Sequence, residues 1–289
     1  MNILLTGSRG FVGSYFKEHY SNNYNINTFS FLKDHLSDLD LTQIDTIVHL
    51  SALVHQMGGA GKSEYENVNI TQTLVLAKKA KQSGVKHFIF MSTVKVYGEE
   101  TDIVYREDTH CNPQDAYGKS KLEAEIELQK LESSDFMVSI IRTPIVYGAG
   151  VKANILNLID IIKKMPVLPF ANIHNRRSMV YIGNLSAIIN QIIKIKKSGI
   201  FLANDDRAIS TTELICLIAE ALHKKVFLLS IPFFSRLLKQ VKPAYYKRLY
   251  GSLEVNNTLT KKELNFSNPY STETGIKLMI NEEMSNAVQ

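Results

Sequence analysis

A short apolar run over 2–6 breaks at once into Gly7-Ser8-Arg9-Gly10-Phe11-Val12-Gly13, followed by residues that can form a helix to about Tyr20. Glycines at this spacing let the backbone turn tightly and approach an anion, while the free amides and positive dipole end of the helix face the same point. With a strand before it and a helix after it, the turn predicts a parallel α/β unit with a pyrophosphate seat. Strand-like runs recur at 25–31, 46–50, 86–91, 137–142 and 199–203, with helical candidates at 62–83, 117–133 and 184–196 between them. Such alternation predicts an α/β fold, a Rossmann-type doubly wound parallel sheet with its ligand at the carboxyl ends of the strands.

Past Gly150 the pattern loosens, punctuated by Pro166, Pro169, Pro232 and Pro243. The expected division is a dinucleotide-binding domain over 1–152, completed by about 178–203. Residues 153–177 and 204–289 would then form a smaller, interleaved C-terminal substrate-binding domain.

At 289 residues and 45% hydrophobic content the chain can bury a sizeable core. Cys111 and Cys216 stand far apart, so they offer neither a disulfide framework nor a metal-ligand spacing; a reducing compartment and no metal are expected. The N-terminus shows no secretion signal and no apolar run reaches a membrane span, which together predict a cytoplasmic protein. The net charge of +5 is spread thinly except over 235–248, too sparse for nucleic acid. The stretch 232–248 mixes apolar and basic residues at helical spacing. It admits a membrane-surface helix, at most a peripheral contact, but reads more plainly as a lobe helix that buries its aromatic face.

Chemistry is concentrated at Tyr117 and Lys121, four residues apart, with Ser92-Thr93 about two dozen residues upstream. Positions i and i+4 share a helix face, so the phenol and the ammonium can meet, and the cation is expected to lower the phenol pKa. Alone, Tyr-x-x-x-Lys is a weak signal. The strand end where NAD-binding folds carry an acid reads Thr28-Phe29-Ser30-Phe31-Leu32-Lys33, with no carboxylate. Arg9 and Lys33 suit a 2′-phosphate instead, which favours NADP(H), with NAD(H) as the alternative.

The glycine turn, His49-Leu50-Ser51-Ala52, Asn69, Ser92 to Gly98, Tyr117-Gly118-Lys119-Ser120-Lys121 and Arg142 to Gly148 resemble, in order, the extended short-chain dehydrogenase/reductases that act on nucleotide sugars (the NAD-dependent epimerase/dehydratase family). Gly150 to Asn154, Leu168-Pro169, His174 to Ser178 and Gly251-Ser252-Leu253 resemble the branch of UDP-N-acetylquinovosamine and UDP-N-acetylfucosamine 4-ketoreductases of O-antigen and capsule pathways. UDP-glucose 4-epimerases share the first-half motifs. The chain departs from the family at Thr143, where proline is common, and at Tyr181, where many members have histidine.

The resemblance implies reduction of the C4 ketone of a UDP-2-acetamido-2,6-dideoxy-hexos-4-ulose, with 4-epimerisation on tightly bound NAD as the alternative. A non-catalytic dinucleotide-binding protein is disfavoured by the intact Tyr-Lys pair. It implies Tyr117 as proton donor, Thr93 as a second donor to the same oxygen, and Lys121 on the nicotinamide ribose. Implied cofactor contacts are Gly7, Arg9, Gly10, Phe11, Val12, Gly13, Leu50, Ser51, Ala52, Tyr117, Lys121, Pro144 and Ile145. Implied substrate contacts are His55, in a loop reading C6 with Gln56 and Met57, and Thr93, Lys95, Asn154, Arg177 and Arg248. Asn69 would brace the active-site backbone, and the helices at 62–83 and 117–133 would form a homodimer.

Overall fold

The computed structural model describes residues 1–54, 61–99, 103–151 and 154–286. Strands β1 (Asn2–Thr6), β2 (Asn25–Phe29), β3 (Thr46–His49), β4 (His87–Thr93), β5 (Met137–Thr143) and β6 (Gly199–Leu202) make one sheet in the order β6-β5-β4-β3-β1-β2. Every pairing in it is parallel. The crossovers are made by α1 (Phe11–Tyr20), α2 (Gln72–Gln82), α3 (Ala116–Leu131) and, after the helix α4 (Asn154–Lys164), by α5 (Ile182–Ile195).

Side chains alternate across a strand, and here both alternations are apolar because both faces are covered. On one face Leu4, Ile47, Phe88, Phe90, Val138 and Ile140 meet Leu76, Ala77 and Ala80 of α2 and Ala124 and Leu128 of α3. On the other, Ile3, Leu5, Val48, Ile89 and Ile141 meet Phe16 of α1 and Leu185, Ile188, Ile189 and Ile192 of α5. A further apolar cluster joins Ile155, Ile159 and Ile162 of α4 with Ile215 and Ile218 of α6 (Thr211–Ala221). Helices α7 (Phe234–Val241), α8 (Pro243–Tyr250), α9 (Thr258–Leu264) and α10 (Thr272–Asn286) complete the chain, with Ile276, Met279 and Ile280 of α10 closing that cluster.

Strand β4 runs two residues beyond its expected end because Ser92 and Thr93 still pair with Arg142 and Thr143. This extension carries Thr93 to the carboxyl edge of the sheet. Ile145–Tyr147 then pairs in parallel with Met179–Tyr181, outside the main sheet. Strands of two or three residues leave no periodic signature, so the sequence did not reveal them.

The expectation that 232–248 buries an aromatic face is corrected. No residue of α7 or α8 is buried. Phe234 alone of the two phenylalanines turns inward, edge-on to Phe170 at 6.3 Å between centroids. Phe233, at φ 63°, points the other way and is 73% exposed. The apolar cluster of this lobe is already closed by α4, α6 and α10. Among the described residues no helix is long and apolar enough to cross a membrane, and no group of three His, Cys, Asp or Glu side chains is placed to hold a metal ion.

Candidate active site

The β1–α1 turn is built around contacts that exclude a Cβ. Gly7 takes φ +69°, and a methyl there would stand 2.8 Å from Ser51 N and 2.9 Å from Leu50 C. At Gly13 it would stand 2.2 Å from Gly7 O. The Gly10 amide donates to Gly7 O at 2.9 Å, closing the turn. Phe11 and Val12 open α1, which has no side-chain cap and no acid in its first turn. Its leading amides therefore present an uncompensated positive end. Leu50, Ser51 and Ala52 continue β3 along the same edge. Thr6 Oγ1 joins the two strand ends, accepting from Ser51 N at 3.2 Å and meeting His49 Nδ1 at 2.8 Å. Burial, with the Lys121 charge adding, pushes the His49 ring down to about 3. These features fit a dinucleotide pyrophosphate seated on the glycine turn.

Arg9 lies exposed in the turn. A carboxylate stands one residue beyond Lys33, at Asp34. Asp34 Oδ2 accepts from Ser30 N at 2.8 Å, and Asp34 N donates to Ser30 O at 2.8 Å. The turn folds the acid back onto the strand end, which a linear reading of 28–33 misses.

Helix α3 is set by Asp115, whose Oδ1 accepts from Gly118 N at 2.6 Å in an N-cap. A side chain at 118 would meet Lys95 O at 2.9 Å, so glycine lets α3 start against the 3-10 turn Val94–Val96. Behind it, the π-helical turn Glu66–Thr71 delivers Asn69 into the interior. Asn69 Nδ2 donates to Leu53 O and to Ser120 Oγ, both at 3.0 Å, and its Oδ1 accepts from Leu53 N at 2.8 Å. Ser120 Oγ in turn donates to Tyr117 O at 2.8 Å. One buried amide thus ties the segment after β3 to the turn bearing Tyr117.

Thr93, at the end of β4, accepts from Lys95 N at 3.3 Å and stands beside the Tyr117 phenol, favouring its ionised form. One turn along α3, Lys121 is 2% exposed, with Nζ 3.9 Å from the Phe90 ring centroid. Burial drives the Lys121 pKa down to about 7, with Glu125 pulling it back up. For Tyr117 the expected lowering is corrected. Although the residue keeps some accessible surface, burial around the phenol pushes its pKa up, Asp115 and Tyr65 push further, and only Thr93 draws it down. Spacing suggests a neighbouring cation but does not register the cost of removing charge from water, the largest influence on this phenol.

Below Lys121, Glu125 and Arg142 form a buried pair that the sequence did not flag. Arg142 Nη2 donates to Glu125 Oε2 at 2.6 Å and Arg142 Nε to both carboxylate oxygens at 3.1 and 3.2 Å. Ser92 Oγ donates to Glu125 as well. The only signal was Glu125 standing four residues after Lys121 on the inward face of the helix.

The expected substrate residues are brought together unequally. Lys95 Nζ is ion-paired with Asp115 Oδ2 at 2.5 Å and Glu99 Oε1 at 3.1 Å. Arg177 Nη1 donates to the backbone carbonyls of Gly251 at 3.1 Å, Arg248 at 3.3 Å and Lys247 at 3.4 Å, and the Arg248 guanidinium lies 6.0 Å from the Tyr245 ring. Arg176 points elsewhere, to Glu254 at 2.5 and 2.6 Å. Pro144 and Ile145 follow β5 at the carboxyl edge. Asn154 begins α4, its side chain outside what the structure describes, and His55 lies outside the described residues. Tyr181 is a packing residue, its ring 5.7 Å from Tyr147 and 5.3 Å from Tyr270.

The model of the NAD dependent epimerase/dehydratase family matches residues 3–201. The chain is 36% identical to a UDP-glucose 4-epimerase of Vibrio cholerae over 96% of its own length and 93% of that protein. It is 28% identical to an N-acetyl-alpha-D-glucosaminyl-diphospho-ditrans,octacis-undecaprenol 4-epimerase of Escherichia coli O157:H7, over 80% and 76% of the two chains. A Bacillus cereus UDP-glucuronic acid 4-epimerase, solved in complex with NAD, superposes with a TM-score of 0.80 at 20% identity over 99% of both chains. The glycine seat, the Thr93–Tyr117–Lys121 group and these matches agree: the chain belongs to the NAD dependent epimerase/dehydratase family.

Proposed function

We propose that the protein is a UDP-sugar 4-epimerase working on bound NAD. The observation that carries the chemistry is the placement of Thr93 at the carboxyl end of β4, on the sheet edge that also bears the glycine seat, with Tyr117 and buried Lys121 one turn apart on α3. The full-length likeness to a UDP-glucose 4-epimerase favours epimerisation over the ketone reduction expected from the sequence.

The dinucleotide, when bound, supplies an acceptor for the C4 hydride and can return that hydride to the opposite face. The chain's own residues handle the proton. Tyr117 takes the C4 hydroxyl proton as the ketone forms and gives it back as the alcohol re-forms, general base then general acid at one oxygen. Thr93 steadies that oxygen with a second hydrogen bond where negative charge develops. A hydrogen-bond acceptor brought to Lys121 restores its ammonium, and a cation one helical turn from Tyr117 draws the phenol back toward neutral pH. Asn69 and Ser120 hold the Tyr117 turn in place. Arg177, whose guanidinium meets the backbone of 247–251, and Arg248 in that same segment suit the sugar diphosphate that the named substrates of both relatives share.

Reduction of a 4-keto sugar is the second reading, supported by the second-half likeness to 4-ketoreductases. The two separate in one experiment. Incubation of UDP-glucose, or its 2-acetamido counterpart, without added cofactor and analysis by NMR gives the C4 epimer under the first reading, with no net change in the nicotinamide absorbance. Stoichiometric loss of that absorbance with a 4-keto sugar nucleotide, and no epimer from either alcohol, overturns it. Asp34 at the β2 end favours a free ribose 2′-hydroxyl over a phosphate. NAD is therefore expected to bind at least about tenfold more tightly than NADP, an advantage lost in Asp34→Ala.

A further inference from the structure

Residues 221–253 contain seven lysines and arginines and no aspartate or glutamate. Without these seven charges the formal net charge of +5 would become −2, so this segment holds the whole positive excess of the chain. The same segment is unusually apolar at its surface. Phe227, Leu229 and Ile231 alternate along an extended run and are 65%, 50% and 49% exposed. The pattern then changes period, and Phe233, Leu237 and Val241 follow at helical spacing, 73%, 59% and 66% exposed. Tyr245, half exposed, extends the stripe onto α8.

Basic side chains flank the aromatic ones. Arg236 lies 5.6 Å from the Phe233 ring, Lys242 5.4 Å from Tyr245 and Lys239 5.5 Å from Tyr246. Phe233 also takes a left-handed backbone conformation, φ 63°, costly for a bulky residue, which directs its ring outward.

We propose that residues 227–246 are a docking face for an anionic lipid bilayer. Apolar side chains on one stripe of a short helix, with lysines and arginines beside them and no acids, is the composition that settles a helix into the headgroup boundary. The rings and Leu237 enter the acyl boundary, and the cations meet the anionic headgroups that draw the face down. A second copy of the chain is a poor occupant, since a two-fold contact would set this acid-free cationic face against itself. Arg177 ties the face to the substrate lobe through the carbonyls of Lys247, Arg248 and Gly251. The docking face stands independently of the catalytic reading.

Flotation of the full chain with vesicles of phosphatidylcholine alone or mixed with phosphatidylglycerol, at low and high salt, tests this. Binding to the mixed vesicles is expected at least about tenfold stronger than to phosphatidylcholine and weakened by salt. Phe233→Ser with Leu237→Ser, which removes no buried side chain, is expected to lower that binding by about tenfold or more, with unchanged far-ultraviolet dichroism and unchanged turnover of a soluble sugar nucleotide. Lys239→Glu with Lys242→Glu should abolish the preference for phosphatidylglycerol. No binding to mixed vesicles, equal binding to both kinds, or binding unaltered by the serine pair would overturn the proposal. So would a change of oligomeric state in the serine pair, by light scattering, without loss of vesicle binding.

Discussion

Replacing Glu125 by glutamine keeps the side-chain shape and removes one buried charge. In the native chain Glu125 is 1% exposed and Arg142 3% exposed, joined by contacts of 2.6, 3.1 and 3.2 Å. After the change the guanidinium keeps, besides the neutral amide oxygen, the Glu107 carbonyl at 3.4 Å and the Tyr97 ring at 4.7 Å. A cation left buried after losing its counter-ion costs about 3–5 kcal/mol. Glutamine retains an acceptor oxygen, so the lower end, about 3 kcal/mol, is expected. In a chain of this size that is a fall of roughly 6–12 °C in Tm. Urea unfolding followed by circular dichroism, with a thermal scan beside it, measures both. Changing both residues to leucine removes charge and counter-charge together and is expected to recover stability to within about 1–2 kcal/mol of the native chain. A loss below about 1 kcal/mol for Glu125→Gln would show that Glu125 does not hold the buried guanidinium, and so would a double variant less stable than the single one.

Gly13→Ala forces a methyl to 2.2 Å from Gly7 O, so the turn must open by about 1 Å. Calorimetry is expected to show NAD affinity reduced at least about tenfold, and native affinity would mean that this turn is not the pyrophosphate seat. Buried His49 and His87 titrate at about 3 and about 4 in the folded chain against 6.5 when unfolded. The unfolded chain binds more protons between those limits, so stability present above pH 6.5 is lost on acidification, about 2–3 kcal/mol per histidine by pH 4.5. Urea midpoints unchanged from pH 7 to pH 5 would contradict this. Val75 and Ile126, 47% and 45% exposed on α2 and α3, are apolar positions on the helices expected to dimerise. Changing both to glutamate should yield monomers by light scattering, whereas an unchanged mass would exclude that interface.

Much of the fold was legible because period and punctuation agree. The alternating apolar strands and the glycine turn placed all six sheet strands within a residue or two, and the 62–83 helix ends where expected. What escaped was tertiary. The Tyr117 phenol is governed by its surroundings, and no spacing rule reports how dry a hydroxyl is. Asp34 reaches the β2 end through a four-residue turn, and Glu125 matters because Arg142, seventeen positions away, folds onto it. Periodicity identified the amphipathic character of 232–248. It did not show that the lobe's apolar cluster is closed without that stretch, which leaves the stripe outside.

Tyr117→Phe separates proton transfer from cofactor binding, because it deletes one oxygen and keeps the ring. The measurement pairs epimer formation from UDP-glucose by NMR with calorimetric titration of NAD. Turnover is expected to fall at least about a hundredfold with NAD affinity within about threefold of native. Turnover near the native rate would contradict the role given to Tyr117.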